Sequence, residues 1–346
     1  MHPVFLQAWR VPLMAALFAA LVSLNACHSV PENLSSDPMK TPRMYFGDPS
    51  RQGRPFSKDP AVVQFQKRYL LYYSIPPADR NGGWGIGIAE SHNLTNWTRI
   101  GEIAKEPNGP EAKGFCAPGA IVLKGKVHLF YQTYGNGKQD AICHAWSEDG
   151  VTFRRDPSNP VFRPTGAWNC GRAIDADVVE YEGQLWLYWA TRDPSFKIQM
   201  LGVATAPMDS DFSRGAWTQR CDGPILKPEL PWEQQCIEAP AVFKRGGKLY
   251  MFYAGAYNNA PQQIGCAVSS DGLTWKRLSD KPVLPNGQPG EWNASESGHP
   301  GVFQDEDGRI HLFYQGNHDQ GRTWFLSRQE VHWNWWGGPR LIEPRH

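Results

Sequence analysis

The sequence predicts an all-β fold, a five-bladed β-propeller with four-stranded antiparallel blades. Three observations carry this. One strand–turn–strand unit occurs five times at a near-constant period. A second, more polar hairpin follows each copy. Long helical periodicity is absent, while 34 Gly, 29 Pro and 43 aromatic residues (15 Trp, 12 Tyr, 16 Phe) crowd into 346 positions, a composition suited to many short strands and turns.

The chain opens with a targeting segment. Arg10 precedes a mostly apolar run over 11–24, too short to span a bilayer and suited to a signal-peptide core. It ends in Leu24-Asn25-Ala26-Cys27, which resembles a bacterial lipobox with Cys27 as the lipid-attachment site. The alternative is an ordinary secretory signal with an incidental cysteine. Either way the protein is expected to be exported. The lipobox reading implies a lipid anchor on a bacterial membrane, periplasmic or at the cell surface, and membrane contact through that anchor alone. Residues 1–26 are thus read as signal peptide and 27–44 as a flexible tether containing Pro31, Pro38 and Pro42. Residues 45–346 are read as the propeller.

The five first hairpins are DPAVVQFQKRYLLYYS (59–74), APGAIVLKGKVHLFYQ (117–132), DADVVEYEGQLWLYWA (175–190), EAPAVFKRGGKLYMFYAG (238–255) and HPGVFQDEDGRIHLFYQG (299–316). Aligned on Pro60, the others fall at Pro118, Ala176, Pro240 and Pro300, with periods of 58, 58, 64 and 60 residues. Each second hairpin starts with small and apolar residues and turns through a polar segment, often of Ser-x-Asp-Gly character. It returns with an aromatic: Trp97, Phe153, Trp217 or Trp275. Two hairpins make a four-stranded sheet, and five sheets make a closed propeller. A β-sandwich is the alternative, and five in-register copies argue against it.

Net charge is +1 without a basic block, so nothing points to nucleic acid. Six cysteines follow Cys27. In an exported chain an even number permits disulfides, but pairing does not follow from sequence. No CxxC or Cys/His cluster suggests zinc. A monomer is expected.

Propeller geometry places the start of each first strand and the loop between second and third strands on one face. The five strand starts carry Asp59, Ala117, Asp175, Glu238-Ala239 and His299. A single Asp before a strand is commonly a turn residue or cap. Three blades offering carboxylates to one space is a different matter, because crowded like charges raise one another's pKa and separate acid from base. Arg172 stands near Asp175 to neutralise part of the cluster. The loops of this face carry groups that bind sugar hydroxyls: Arg80, Asn81, Tyr134, Asn136, Arg192, Asp193, Tyr257, Asn258, Asn259, Asn317 and His318. Trp84, Phe115, Trp168 and Trp292 are candidates to stack on a sugar ring. For each loop residue the alternative is a role in holding the loop.

Asp59-Pro60, Ile174-Asp175 and Glu238-Ala239-Pro240, one per blade in that order, resemble the signatures of glycoside hydrolase family 43 and its five-bladed relatives, families 117, 32 and 130. Gly298-His299 resembles the same family. The resemblance implies that Asp59 is the general base, Asp175 tunes and orients the acid, and Glu238 is the general acid. It implies no required cofactor, with His299 helping to hold a calcium ion in the central channel through water. Substrate-binding candidates are Trp84, Phe115, Trp168, Arg172, Tyr257, Glu296 and His299. The family usually has Pro after the blade-three Asp, where this chain has Ala176 followed by Asp177. Residues two apart on a strand share a face, so Asp177 is a candidate to replace or assist Asp175.

The expected activity is inverting, exo-acting hydrolysis of a terminal sugar, such as an α-L-arabinofuranoside or β-D-xyloside, from plant or algal polysaccharide fragments. Alternatives are a family 117-like 3,6-anhydro-α-L-galactosidase, in which His299 would be the acid, and a glycoside phosphorylase using Arg54, Lys58 and Arg172. A non-catalytic sugar-binding propeller is the remaining one.

Overall fold

The computed structural model describes residues 39–79, 82–335 and 337–343. The expected signal peptide, Cys27 and most of the tether lie outside the described residues. Twenty strands form five four-stranded antiparallel sheets, each in the order first, second, third, fourth from the axis outward. Blade one is Lys58–Phe65, Arg68–Ile75, Gly85–Ser91 and Thr98–Glu102. Blade two is Phe115–Leu123, Lys126–Thr133, Ile142–Ser147 and Arg154–Arg155. Blade three is Ile174–Tyr181, Gln184–Arg192, Gln199–Pro207 and Thr218–Gln219. Blade four is Ile237–Arg245, Lys248–Gly255, Gln263–Ser269 and Lys276–Arg277. Blade five is Glu296–Gln304, Ile310–Asn317, Phe325–Trp333 and Pro339–Ile342.

First strands touch in cyclic order, and blade five meets blade one. The N-terminal segment helps close the ring: Phe46 bonds to Leu326 and Ser57 N donates to Trp324 O, on the third strand of blade five and just before it. Met44 is buried and Met39 packs on the blade four–five core. Residues 39–44 thus belong to the same compact unit as the propeller.

The core lies between blades, in five apolar clusters. The recurring outer aromatic has a common use. It packs edge-on against the second-strand aromatic of the preceding blade: Phe153 on Tyr72, Trp217 on Phe130, Trp275 on Tyr188 and Trp97 on Phe313, with centroids 5.6–6.2 Å apart. Each such pair contributes about 0.5–1.5 kcal/mol beyond burial. The Ser-x-Asp-Gly turn sets the approach. Ser147 Oγ accepts from Gly150 N, and Asp149 Oδ1 accepts from Val151 N and Thr152 N. Gly150 has φ +76°, and a Cβ there would collide with Leu70 of blade one, so glycine is required.

All six cysteines from Cys116 onward are free thiols, so the cysteine count does not translate into disulfides here. Among the described residues no helix is long and apolar enough to cross a membrane.

Candidate active site

Every first strand breaks at the same place. The register slips between Lys58 and Ala61, Cys116 and Gly119, Glu238 and Ala241, and Gly298 and Gly301, with the matching slip in blade three. At the break sits a left-handed residue: Asp59 (φ 53°), Ala117 (48°), Asp175 (52°), Ala239 (50°) and His299 (42°). A non-glycine residue held there costs on the order of 1–3 kcal/mol. Side chains offset the strain by capping the exposed N–H groups: Gln315 accepts from Asp59 N, Ser74 from Ala117 N, Gln132 from Asp175 N and Gln262 from His299 N. Such a bulge re-aims the strand: in blades one to three both the bulge residue and the one before it line the axial cavity, in blade four the preceding residue Glu238 does, and in blade five the bulge residue His299 does.

That cavity has a volume of about 320 Å³. Its lining includes Lys58, Asp59, Trp84, Tyr134, Arg172, Asp175, Arg192, Gln199, Glu238, Tyr257, Asn258 and His299. The three expected carboxylates therefore share one space. Below it the first strands close in. Gly119 and Gly301 lie so near the carbonyls of Ala176 and Pro60 that a Cβ at either would collide.

An arc of hydrogen bonds joins the carboxylates. His299 Nδ1 lies 3.1 Å from Asp59 Oδ1. Gln262 Oε1 accepts the His299 N–H at 3.1 Å, and Gln262 Nε2 donates to Glu238 Oε1 at 2.6 Å. Gln199 Nε2 donates to Glu238 Oε2, and Gln199 Oε1 accepts from Arg192 Nε at 2.9 Å. Both oxygens of Glu238 are thus fixed by amides.

Asp175 is buried. Burial raises its pKa most, and the charges of Glu238 and Asp59 add to that, against His299 and Arg172. Lys58 is the opposite case. Burial opposes its charge, but Asp59, Glu296 and Glu238 raise its pKa above the ordinary lysine value. Its Nζ donates to Asn258 Oδ1 at 2.6 Å and stands 4.4 Å from the Trp324 ring centroid. A charged ammonium thus stands beside the expected base, Asp59.

Several expectations need correction. Phe115 is buried between blades one and two, edge-on to Tyr131 and under Arg155. Trp168 packs on Trp189 in the blade two–three cluster, and Trp292 is buried against Tyr314. None of the three lines the cavity; of the proposed stacking residues Trp84 does, with Tyr134 beside it at 5.8 Å between centroids. Glu296 is fully buried behind the wall. It accepts from Gln315 Nε2 at 2.8 Å and Asn259 N at 2.6 Å, and burial raises its pKa to about 7. Asp177 does not join Asp175, because the bulge breaks the strand alternation; its Oδ2 accepts Val242 N at 2.7 Å and ties blade three to blade four.

Among the loop residues, Tyr134, Arg192, Tyr257 and Asn258 reach the cavity. Asn136, Asp193, Asn259 and Asn317 serve loop hydrogen bonds instead. His318 is exposed away from the cavity lining, and Arg80 and Asn81 lie outside the described residues. Lys58 and Arg172 line the cavity; Arg54 is exposed elsewhere.

Calcium takes six to eight oxygen ligands. His299 Nδ1 already faces Asp59, and among the described residues no three His, Cys, Asp or Glu side chains converge as metal ligands. The residues present do not fit a direct calcium site, and no chemical step is assigned to one.

Sequence reasoning missed Gln199 and Gln262. They stand three residues before Gly202 and Gly265, which pair with the second-strand aromatics Trp189 and Tyr253. The equivalent residues in other blades are Trp84, Asp140 and Trp324, from the matching pairs Gly87–Tyr73, Cys143–Tyr131 and Ser327–Tyr314. A signal existed: blades three and four have Ala190 and Ala254 where the others have Ser74, Gln132 or Gln315.

The family model "Glycosyl hydrolases family 43" matches residues 53–336. The chain is 24% identical to an extracellular exo-alpha-(1->5)-L-arabinofuranosidase of Streptomyces avermitilis, over 96% of this chain and 70% of that protein. It is 25% identical to a 1,2-beta-oligomannan phosphorylase of Thermoanaerobacter sp., over 58% of this chain and 64% of that one, just under two thirds. Among solved structures it is similar to a thermostable family-43 glycoside hydrolase, with TM-score 0.65, 23% identity, and 84% and 95% of the two chains covered. It is also similar to an α-L-arabinofuranosidase from Lactobacillus brevis, with TM-score 0.65, 20% identity, and 87% and 97% covered. With a family match running from the first blade into the fifth, over the strands that bring Asp59, Asp175 and Glu238 together, the chain belongs to glycosyl hydrolase family 43 and is a glycosidase that hydrolyses O-glycosyl bonds.

Proposed function

We propose that this protein removes a terminal sugar, an α-L-arabinofuranoside or β-D-xyloside, from plant or algal polysaccharide fragments by an inverting mechanism. The observation that carries the reading is the meeting of Asp59, Asp175 and Glu238 in one cavity closed below by the first strands. Glu238, held by Gln199 and Gln262, protonates the glycosidic oxygen. Asp59, held by His299, takes the proton from a water attacking the opposite face of the sugar. Asp175, with its raised pKa, limits the negative charge beside Glu238 and orients it. Trp84 and Tyr134 form the aromatic side of the cavity, where a sugar face stacks. The arabinofuranosidase relative supports the choice of sugar, and its extracellular place accords with an exported, lipid-anchored protein.

Phosphate in place of water as the acceptor is the second reading, favoured by the similarity to the oligomannan phosphorylase. A panel of aryl glycosides and plant and algal oligosaccharides, with and without phosphate, separates the two. Release of one free monosaccharide, independent of phosphate, is expected. Internal cleavage would refute exo action, and strict phosphate dependence would favour the second reading.

A further inference from the structure

One side of the cavity carries three clustered cations, of which Arg172 acts on Asp175 and Arg192 holds Gln199, and none of which gives or takes the proton in the proposed acid–base chemistry. Phe196 lies in the loop between the second and third strands of blade three, with φ +65°. The Asp193 carboxylate fixes this loop by accepting from Ser195, Lys197 N and Ile198 N, so it is spent on backbone groups. Around the Phe196 ring stand three positive charges from different elements: Arg192 at 4.5 Å, Lys138 at 5.8 Å and Arg172 at 5.9 Å from its centroid. The ring face attracts each of them, but they repel one another. The direct carboxylate partner is Asp140, 3.6 Å from Arg172 Nε. That Nε is buried and has no hydrogen-bond acceptor among the described residues. Arg192 is stacked between Phe196 and Tyr257, and its Nε is committed to Gln199. The chain as a whole carries only +1, so this grouping is local.

We propose that Arg172, Arg192 and Lys138 form an oxyanion subsite at the margin of the catalytic cavity. Two planar guanidinium groups suit a carboxylate, sulfate or phosphate. The anion is an acidic group on the sugar substrate, or free inorganic phosphate acting as acceptor. In the second case a phosphate oxygen bonds to the anomeric carbon as the glycosidic C–O bond breaks. The leaving oxygen takes the Glu238 proton, and the proton of hydrogen phosphate returns to Glu238, giving a sugar phosphate and an alcohol. The role of the anion rests on the glycosidase reading; its binding does not.

The test is calorimetric titration of the full protein at low ionic strength with inorganic phosphate, D-galacturonate and, as neutral control, D-galactose. At least one anion should bind more tightly than galactose. Arg172→Gln should weaken it about tenfold or more, as expected for a lost charged hydrogen bond. Lys138→Gln, at an exposed position, should weaken it a few-fold and reduce its salt dependence, with an unchanged melting temperature confirming the fold. Sugar phosphate formed during turnover would identify phosphate as acceptor. A lower KM for uronate-bearing oligosaccharides than for neutral ones, with phosphate a competitive inhibitor, would place the anion on the substrate. No anion binding above galactose, or equal binding by wild type and both variants, overturns the subsite. Hydrolysis of neutral substrates in that case would leave the glycosidase reading intact, and anion binding without any turnover would do the reverse.

Discussion

Gln262 joins Glu238 to His299: its amide nitrogen donates to the carboxylate at 2.6 Å while its oxygen accepts the histidine's backbone N–H at 3.1 Å. The side chain that aims the expected acid therefore also caps the bulge that presents the partner of the expected base. Gln262→Ala should lower kcat about 10–100-fold with little change in KM, as for a group that positions rather than binds. Steady-state kinetics checks this. A change confined to KM would mean that Gln262 contacts substrate instead.

In the proposed mechanism Glu238 acts on the leaving group. Glu238→Gln should cut kcat on an oligosaccharide by about 10²–10⁴, the usual worth of a general acid. A dinitrophenyl glycoside leaves without protonation, so its cleavage should fall far less. Comparing the two substrates decides the matter. Equal losses would remove Glu238 from the acid role and turn attention to His299.

Glu296 should act on stability. Burial raises its pKa from 4.5 to about 7. Below about 4.5 it is protonated folded and unfolded, and it contributes no pH dependence. Between 4.5 and 7 the folded state keeps a proton that the unfolded state has lost, so stability declines as pH rises through this window and levels off above it. Glu296→Gln removes that slope. Thermal melts from pH 5 to 8 should show the variant gaining on wild type as pH rises. A constant difference would show that Glu296 does not titrate there.

Much of this molecule was legible in its sequence, for physical reasons. The first strands repeat in register, so Asp59, Asp175, Glu238 and His299 could be placed on one axis by alignment alone. Trp97, Phe153, Trp217 and Trp275 recur because each must meet the preceding blade. Aromatics near the site face were less legible. Phe115, Trp168 and Trp292 face the layers between blades, and sequence distance from a strand start does not tell the two directions apart. Asp177 misled because alternation holds only in an unbroken strand, and the residue at 175 is left-handed. Gln199 and Gln262 were hidden because a lone amide at the start of a third strand resembles a surface residue. They stand out only beside Ala190 and Ala254, which leave the capping position empty.

The most direct test of the account is the anomeric form of the first product. Proton NMR of the wild-type protein acting on the substrate it cleaves from the panel, recorded before mutarotation, should show the sugar released with inverted configuration, as a water held between Asp59 and the anomeric carbon requires. Release with retained configuration would contradict it, because the attacking group would then be a side chain and Asp59 could not be the base described here.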